Sequence, residues 1–277
     1  MKKILYCILI GTICLPLILS AGVIVEENFD GYGGGITSLN GQNGGNNWNS
    51  AWSTSTSSNN YGPAKLTYSL TGYVNNGGTG STDGSASATA NTDNKFSRSY
   101  ASSDQSDIWF SCLMFASSMN SINDRVGIQF GNSYYLGIKS GVFGIYSASW
   151  GTAADTVADP VGQAEAVLVI GHYYALGNGK ISMEAWLNPT DVSSVAALGT
   201  GANYVANSSF SASAISSTVT GYLREDNGNR MSLDALRITY GFTDDDEGLT
   251  AVVVPEPVTI GMFGLGALAV LIMRRQF

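Results

Sequence analysis

Lys180-Ile181-Ser182-Met183-Glu184-Ala185-Trp186-Leu187 alternates strictly, with Ile181, Met183, Ala185 and Leu187 on one side and Lys180, Ser182, Glu184 and Trp186 on the other. A period of two places the apolar set on a core and the polar set on a sheet's outer face, the pattern of a half-buried antiparallel strand. The same reading applies to Arg125–Phe130, where Val126, Ile128 and Phe130 share a face, and to Leu236, Ile238 and Tyr240, which alternate with Arg237 and Thr239. Ile108–Phe115 and Ala166–Ile170 are continuously apolar and read as central strands. Gly131-Asn132-Ser133, Lys139-Ser140-Gly141 and Gly177-Asn178-Gly179 fall between such runs, and Gly and Asn accept the positive φ of tight hairpins. No amphipathic helix of useful length stands between residues 22 and 250; Ala153–Gln163 or Val192–Leu198 offers a single helical turn. The expected fold is all-β: an antiparallel β-sandwich or jelly roll.

Composition agrees. Only 12% of the 277 residues are charged, against about 25% in an ordinary domain. Gly (34), Ser (34) and Asn (21) are turn formers that disfavour a helical protein. A net charge of −8 argues against a nucleic-acid partner. Gly33–Asn60 and Asn75–Asn94 are low in complexity; they are either long surface loops ordered by aromatics such as Trp48 and Trp52, or flexible tips.

The two ends differ from the middle. Met1-Lys2-Lys3, the apolar run Ile4–Leu19 and Ser20-Ala21-Gly22 describe a secretory signal peptide over residues 1–21, cut after Ala21. At the other end Pro255-Glu256-Pro257 precedes Val258–Met273, an uncharged run closed by Arg274-Arg275. At about 1.5 Å per residue that run reaches about 24 Å, short of the roughly 30 Å hydrocarbon core but able to span with thinning or snorkelling. The arginines would remain on the cytoplasmic side. The body between the ends is expected as one sandwich domain over residues 22–243, joined by an acidic linker, 244–253, to the terminal segment 254–277. Cys112 is the one cysteine left outside the signal run, set among Phe110, Leu113 and Met114, and reads as a buried thiol.

Catalytic equipment is sparse. Glycoside hydrolysis needs two carboxylates about 5–10 Å apart. No Glu-x-Asp-x-Glu pattern occurs; Glu184, the best strand candidate, has Ser182 and Trp186 as same-face neighbours, and Glu165 has no acidic neighbour two residues away. His172 is the single histidine, which excludes a zinc site of several histidines, and it reads as a packing or surface residue. No G-x-S-x-G elbow or phosphate-binding loop is present. Calcium wants several oxygen ligands, for which Asp244, Asp245, Asp246 and Glu247, or Asp104 and Asp107, are candidates; solvated acidic loops are the alternative. Trp186, an aromatic on a polar face, is the candidate platform for a sugar.

The tail Val254–Phe277, with its Pro-Glu-Pro box, apolar run and arginine pair, resembles the PEP-CTERM sorting domain of exported bacterial proteins. That resemblance implies recognition by an exosortase-type membrane protease and delivery to the cell surface or an extracellular polysaccharide matrix. Glu27-Asn28-Phe29-Asp30-Gly31-Tyr32, Trp186-Leu187-Asn188-Pro189 and Leu233-Asp234-Ala235-Leu236-Arg237-Ile238 look like segments of exported concanavalin A-like (LamG-like) sandwich proteins, a fold that includes lectins and glycoside hydrolases. The expectation is an exported, non-enzymatic surface or matrix protein, with carbohydrate as the candidate ligand. The alternatives are a carbohydrate-active hydrolase or lyase of the same fold, and a surface protein anchored permanently by residues 258–273.

Overall fold

The computed structural model describes residues 22–253 except 30–31, 33–37, 56–60, 63–65, 67, 69, 71–84, 89–92, 101–106, 118, 120, 132–133, 148, 152, 158–164, 177, 212–215 and 227–229. Ala21, Asp104, the Pro255-Glu256-Pro257 box, the 258–273 run and Arg274-Arg275 lie outside the described residues.

Two antiparallel sheets are built from β1 (Val23–Glu27), β2 (Ser53–Thr54), β3 (Tyr61–Gly62), β4 (Ser85–Ala88), β5 (Asn94–Ser99), β6 (Asp107–Ala116), β7 (Arg125–Phe130), β8 (Tyr134–Lys139), β9 (Val142–Ser147), β10 (Ala153–Val157), β11 (Ala166–Ala175), β12 (Lys180–Leu187), β13 (Tyr204–Ser211), β14 (Thr218–Arg224) and β15 (Met231–Tyr240). The eight-stranded sheet runs β13-β12-β11-β6-β15-β4-β3, with β1 also paired to β15; the seven-stranded sheet runs β10-β9-β8-β7-β14-β5-β2. The expected β-sandwich is borne out. The alternation in β12 decides its register as expected, because Ile181, Met183, Ala185 and Leu187 all enter the main core. There they share one cluster with Phe110, Cys112 and Met114 of β6 and with Val126, Ile128 and Phe130 of the opposite sheet. Both continuous apolar runs prove central: β6 lies between β11 and β15, and β11 between β6 and β12. The β8–β9 hairpin turns through Ser140 and Gly141, at φ 51° and 80°.

Two expectations need correction. Ala153–Val157 forms strand β10 on the edge of the seven-stranded sheet, not a helical turn; its alternative, the turn near Val192–Leu198, is present as α1 (Val195–Leu198), capped by the Ser194 hydroxyl. Residues 244–253 are not a linker. Asp245–Val253 forms helix α2, whose Leu249, Val252 and Val253 are buried on the outer face of the eight-stranded sheet. The i, i+3, i+4 spacing of those three residues was masked by the acidic run before them. Asp244 supplies the start: its Oδ1 accepts from the Asp246 and Glu247 amides, satisfying two N–H groups of the first turn.

The sheets are also joined by charge. Glu27 of β1 is fully buried, and its Oε2 receives Nη1 of Arg98, from β5 in the other sheet, at 2.7 Å. The same carboxylate accepts from Tyr32 Oη (2.6 Å), Trp52 Nε1 (2.9 Å) and the Phe29 amide (2.8 Å). Burial pushes the Glu27 carboxyl up, against the pull of those donors and of Arg98. Arg98 in turn donates to the Gly44 and Ser50 carbonyls and lies 4.8 Å from the Trp48 ring. The described part of the Gly/Asn-rich loop is thereby ordered through Trp48, Trp52 and Arg98.

Glu27→Ala leaves a buried guanidinium and three other donors without their acceptor, and is expected to cost about 3–5 kcal/mol in a urea titration. Pairing Glu27→Leu with Arg98→Met should recover part of that loss, since two apolar side chains replace an ion pair in a dry site. Equal losses in the single and double variants would contradict this account.

Candidate functional site

The two outer faces of the sandwich carry different chemistry. On the eight-stranded sheet, the polar side of β12 meets the outward residues of β11 and β6. Trp109, Leu113, Leu168, Ile170 and Trp186 form a second apolar layer there, covered by Leu249, Val252 and Val253 of α2. Trp109 and Trp186 stack at 5.9 Å and 10°, and Trp186 donates through Nε1 to the Gly199 carbonyl at 2.7 Å. Trp186 does lie on the polar face of β12, but it is 4% exposed; only its rim reaches a 200 Å³ pocket shared with Pro189 and Leu198. It is packed structure more than an open platform.

Beside this layer, where α2 begins, a cleft of about 500 Å³ is lined by Asp107, His172, Tyr174, Glu184, Val195 and Asp245, with Ala175 at its margin. His172 Nε2 lies 2.9 Å from Asp107 Oδ1 and 3.8 Å from Asp245 Oδ1. Its ring stacks on Trp109 at 4.0 Å and 12°. Tyr174 donates to Glu184 Oε1 at 3.0 Å. Register explains the meeting: His172 pairs with Glu184 on one side and with Trp109 on the other. Glu184 thus gains, from other strands and from α2, the acidic company that its own strand lacks. Of the acidic run, only Asp245 enters this cleft. Asp244 caps α2, and Asp246 Oδ1 accepts from the Val195 amide, tying α2 to α1. Cys112 lies in the sandwich core, where burial pushes its thiol well above the ordinary range.

The outer face of the seven-stranded sheet has neither described helix packed on it. Sequence reading of β7 stopped at its apolar side; the other side carries Arg125, Gly127 and Gln129. One row of paired positions runs Ser53, Ser97, Thr220, Gln129 across β2, β5, β14 and β7, with Tyr135 on the neighbouring β8. Together with Thr54, Ser55 and Lys95 these residues line a cleft of about 390 Å³. Gln129 is 5% exposed, and no described residue hydrogen-bonds its side-chain amide. The next row is Tyr222, Gly127, Gly137, Gly144. A Cβ on Gly127 would lie 2.6 Å from Trp150 Cη2, so the missing side chain is what lets the indole lie flat on the sheet. Trp150 stacks on Tyr135 (4.8 Å, 21°) and Tyr146 (5.2 Å, 28°), with Tyr222 edge-on to Tyr135 at 5.4 Å.

Charge is organised around this aromatic group. The Arg125 guanidinium lies 5.1 Å from the Tyr222 ring and 5.8 Å from that of Trp150. Lys95 Nζ is 5.4 Å from Tyr222. Asp93 pairs with Arg224 at 3.0 Å and with Arg125 at 3.6 Å. Burial pushes the Asp93 carboxyl up, but bonds from Tyr222 and Arg224 and the Arg125 charge outweigh that and hold it below its ordinary value. Burial, aided by Asp93, pushes the Tyr135 phenol up to about 12, so it is a hydrogen-bond donor at neutral pH. The sequence signal that could have found this face is the outward series of β7, read together with glycines at Gly127, Gly137 and Gly144.

No protein-family model and no curated protein matches the chain. Among solved structures, the endo-β-1,4-glucuronan lyase from the fungus Trichoderma reesei is similar at 10% identity and a TM-score of 0.41, over 80% of this chain and 97% of that one. Alginate lyase Aly36B matches at 10% identity and a TM-score of 0.35, over 57% and 81%. The botulinum neurotoxin serotype D binding domain matches at 12% identity and a TM-score of 0.39, over 61% of this chain and 42% of that one, so the chain spans about two fifths of that domain.

The covering of the eight-stranded face gives a direct test. A Cβ at Gly248 would sit 2.5 Å from Trp109 Cδ1. Gly248→Ala is expected to lower stability by about 1–3 kcal/mol, although alanine favours a helix by about 1 kcal/mol over glycine. Thermal melts and faster amide exchange across residues 245–253 would register it; an unchanged or raised melting temperature would show that α2 is not seated on Trp109.

Proposed function

We propose that this protein is an exported, non-enzymatic surface or matrix protein of the concanavalin A-like kind, which binds extracellular polysaccharide through the outer face of its seven-stranded sheet. The supporting observation is Gln129, a residue 5% exposed whose side-chain amide opens onto the floor of a cleft without a hydrogen-bond partner among the described residues. An amide held at a cleft floor and left unmatched by the protein is free to bond water or a ligand. Around it stand the hydroxyls of Ser53, Ser97 and Thr220 and the phenol of Tyr135. Carbohydrates present paired hydroxyls at their edges and C–H faces above and below the ring. A row of short donors and acceptors matches the hydroxyl edges, while the aromatics beside it, 2–4% exposed, hold that row in place.

The same reading takes residues 1–21 as an export signal and the tail from Pro255 to Arg275 as a sorting signal, handled by an exosortase-type membrane protease that releases the body to the cell surface. Terminal mass spectrometry of the protein from a producing cell tests this part. A mature chain beginning near Gly22 and ending near Pro255–Pro257 is expected, whereas an intact Phe277 means permanent anchoring.

Binding is tested by affinity electrophoresis and pull-down with neutral and acidic bacterial polysaccharides. Gln129→Ala and Tyr135→Ala are each expected to weaken retention about tenfold or more, at roughly 1.4 kcal/mol per decade. Leu176→Ser, an exposed change in the turn after β11 of the other sheet, should leave retention unchanged. Retention by no polysaccharide would overturn the reading. A second reading, a hydrolase or lyase, is favoured by one observation, the convergence of Asp107, Glu184 and Asp245 on one cleft. It predicts reducing ends or unsaturated products from a β-glucan or uronan, abolished by Glu184→Gln.

A further inference from the structure

Three elements that are remote in sequence bring metal-ligating side chains to one end of the cleft on the eight-stranded face. Asp107 opens β6, His172 lies in β11, and Asp245 opens α2. One nitrogen and two carboxylate oxygens lie within 4.8 Å of one another. A tetrahedral ion with bonds of about 2.0–2.1 Å holds adjacent ligand atoms about 3.3–3.4 Å apart. The two His172-to-carboxylate separations, 2.9 and 3.8 Å, lie either side of that value. The two carboxylates, up to 4.8 Å apart, have to approach by up to about 1.5 Å to close the set around an ion, and Asp245, the most exposed member, is the one free to move.

The imidazole is already fixed. His172 is 5% exposed, stacked on Trp109, with the Tyr174 ring 4.8 Å away on the cleft side. Its Nδ1 has no hydrogen-bond partner among the described residues. Such a side chain loses little conformational freedom when it ligates. Electrostatics points the same way: three carboxylates, from Asp107, Glu184 and Asp245, line the cleft, and neither Lys nor Arg is among its lining residues. A buried imidazole beside three carboxylates, with neither Lys nor Arg lining the cleft, is a donor set for a dication.

The geometry points to a site for a first-row transition-metal dication, of which Zn²⁺ is the representative probe, held by Asp107, His172 and Asp245, with the remaining coordination left to water or to a ligand in the cleft. Imidazole with two carboxylates suits Zn²⁺, Mn²⁺ or Co²⁺, whereas Ca²⁺ takes six to eight oxygens, more than these side chains supply. The site differs from the acidic run that the sequence suggested for calcium, since Asp244 and Asp246 are occupied as helix caps. Bound there, the ion joins the first turn of α2 to β6 and β11.

Chelator-treated full-length protein in detergent, titrated with ZnCl₂ by calorimetry, should take up one ion per chain at micromolar or tighter affinity. Asp245→Asn, an exposed and nearly isosteric change, is expected to weaken uptake about tenfold or more, and His172→Gln more than that. Co²⁺ in place of Zn²⁺ should give visible d–d absorption that His172→Gln removes. Equal affinity for CaCl₂, absence of saturable zinc uptake, or uptake that Asp245→Asn leaves unaltered in a protein with native circular dichroism would overturn the assignment. Glycan retention is read in a separate assay, so the two proposals fail independently.

Discussion

Glu27 and Arg98 sit where two sheets, one aromatic group and one glycine-rich loop have to agree. A carboxylate and a guanidinium shut away from water are tolerable only when nearly every donor and acceptor around them is matched. Here the Glu27 carboxylate takes four donors, and the Arg98 guanidinium reaches Glu27, Gly44, Ser50 and Asn43. Those partners come from β1, from the loop around residues 43–52 and from β5. A shift of either sheet would strand a charge, so the pair acts as a register lock between layers that hydrophobic contact alone would leave free to slide. Hydrophobic burial supplies most of the drive for the sandwich; the ion pair selects which sandwich.

The fold was legible because its strands obey simple rules. β12 alternates, β6 and β11 do not, and both facts follow from how much of each strand's surface is covered. Helix α2 was illegible for an equally physical reason. Asp244 as its cap and three acidic residues in its first turn dominate its start, and its apolar stripe of Leu249, Val252 and Val253 is short. Only the sheet beneath, with Trp109 and Ile170 waiting to be covered, makes that stripe worth a helix.

The clefts were legible in part. Glu184, His172, Asp107 and Asp245 could each be picked out by chemistry, but not their meeting, which depends on β12–β11–β6 register and on α2 folding back. Trp186 stands out by its place on the polar side of β12; the layer that covers that side comes from the segment after β12 and from α2, whose apolar residues lie more than 60 positions later. The face around Gln129 is illegible in the sequence because its signal is a lack: the missing side chain at Gly127 makes room for the Trp150 ring, and that room is visible only once strands are side by side.

One feature of the topology governs how the chain can reach this state. β15 is an inner strand of the larger sheet, flanked by β6 on one edge and by β1 and β4 on the other. Val23 pairs with Tyr240, so the first strand meets its partner strand only when more than two hundred further residues are available. Contacts so distant in sequence make loop closure, rather than local propensity, the slow step of folding. The body therefore assembles late and as a whole: a chain lacking its last strand has an open β6 edge and a β1 without its strand partner. The larger sheet closes only when that strand is in place.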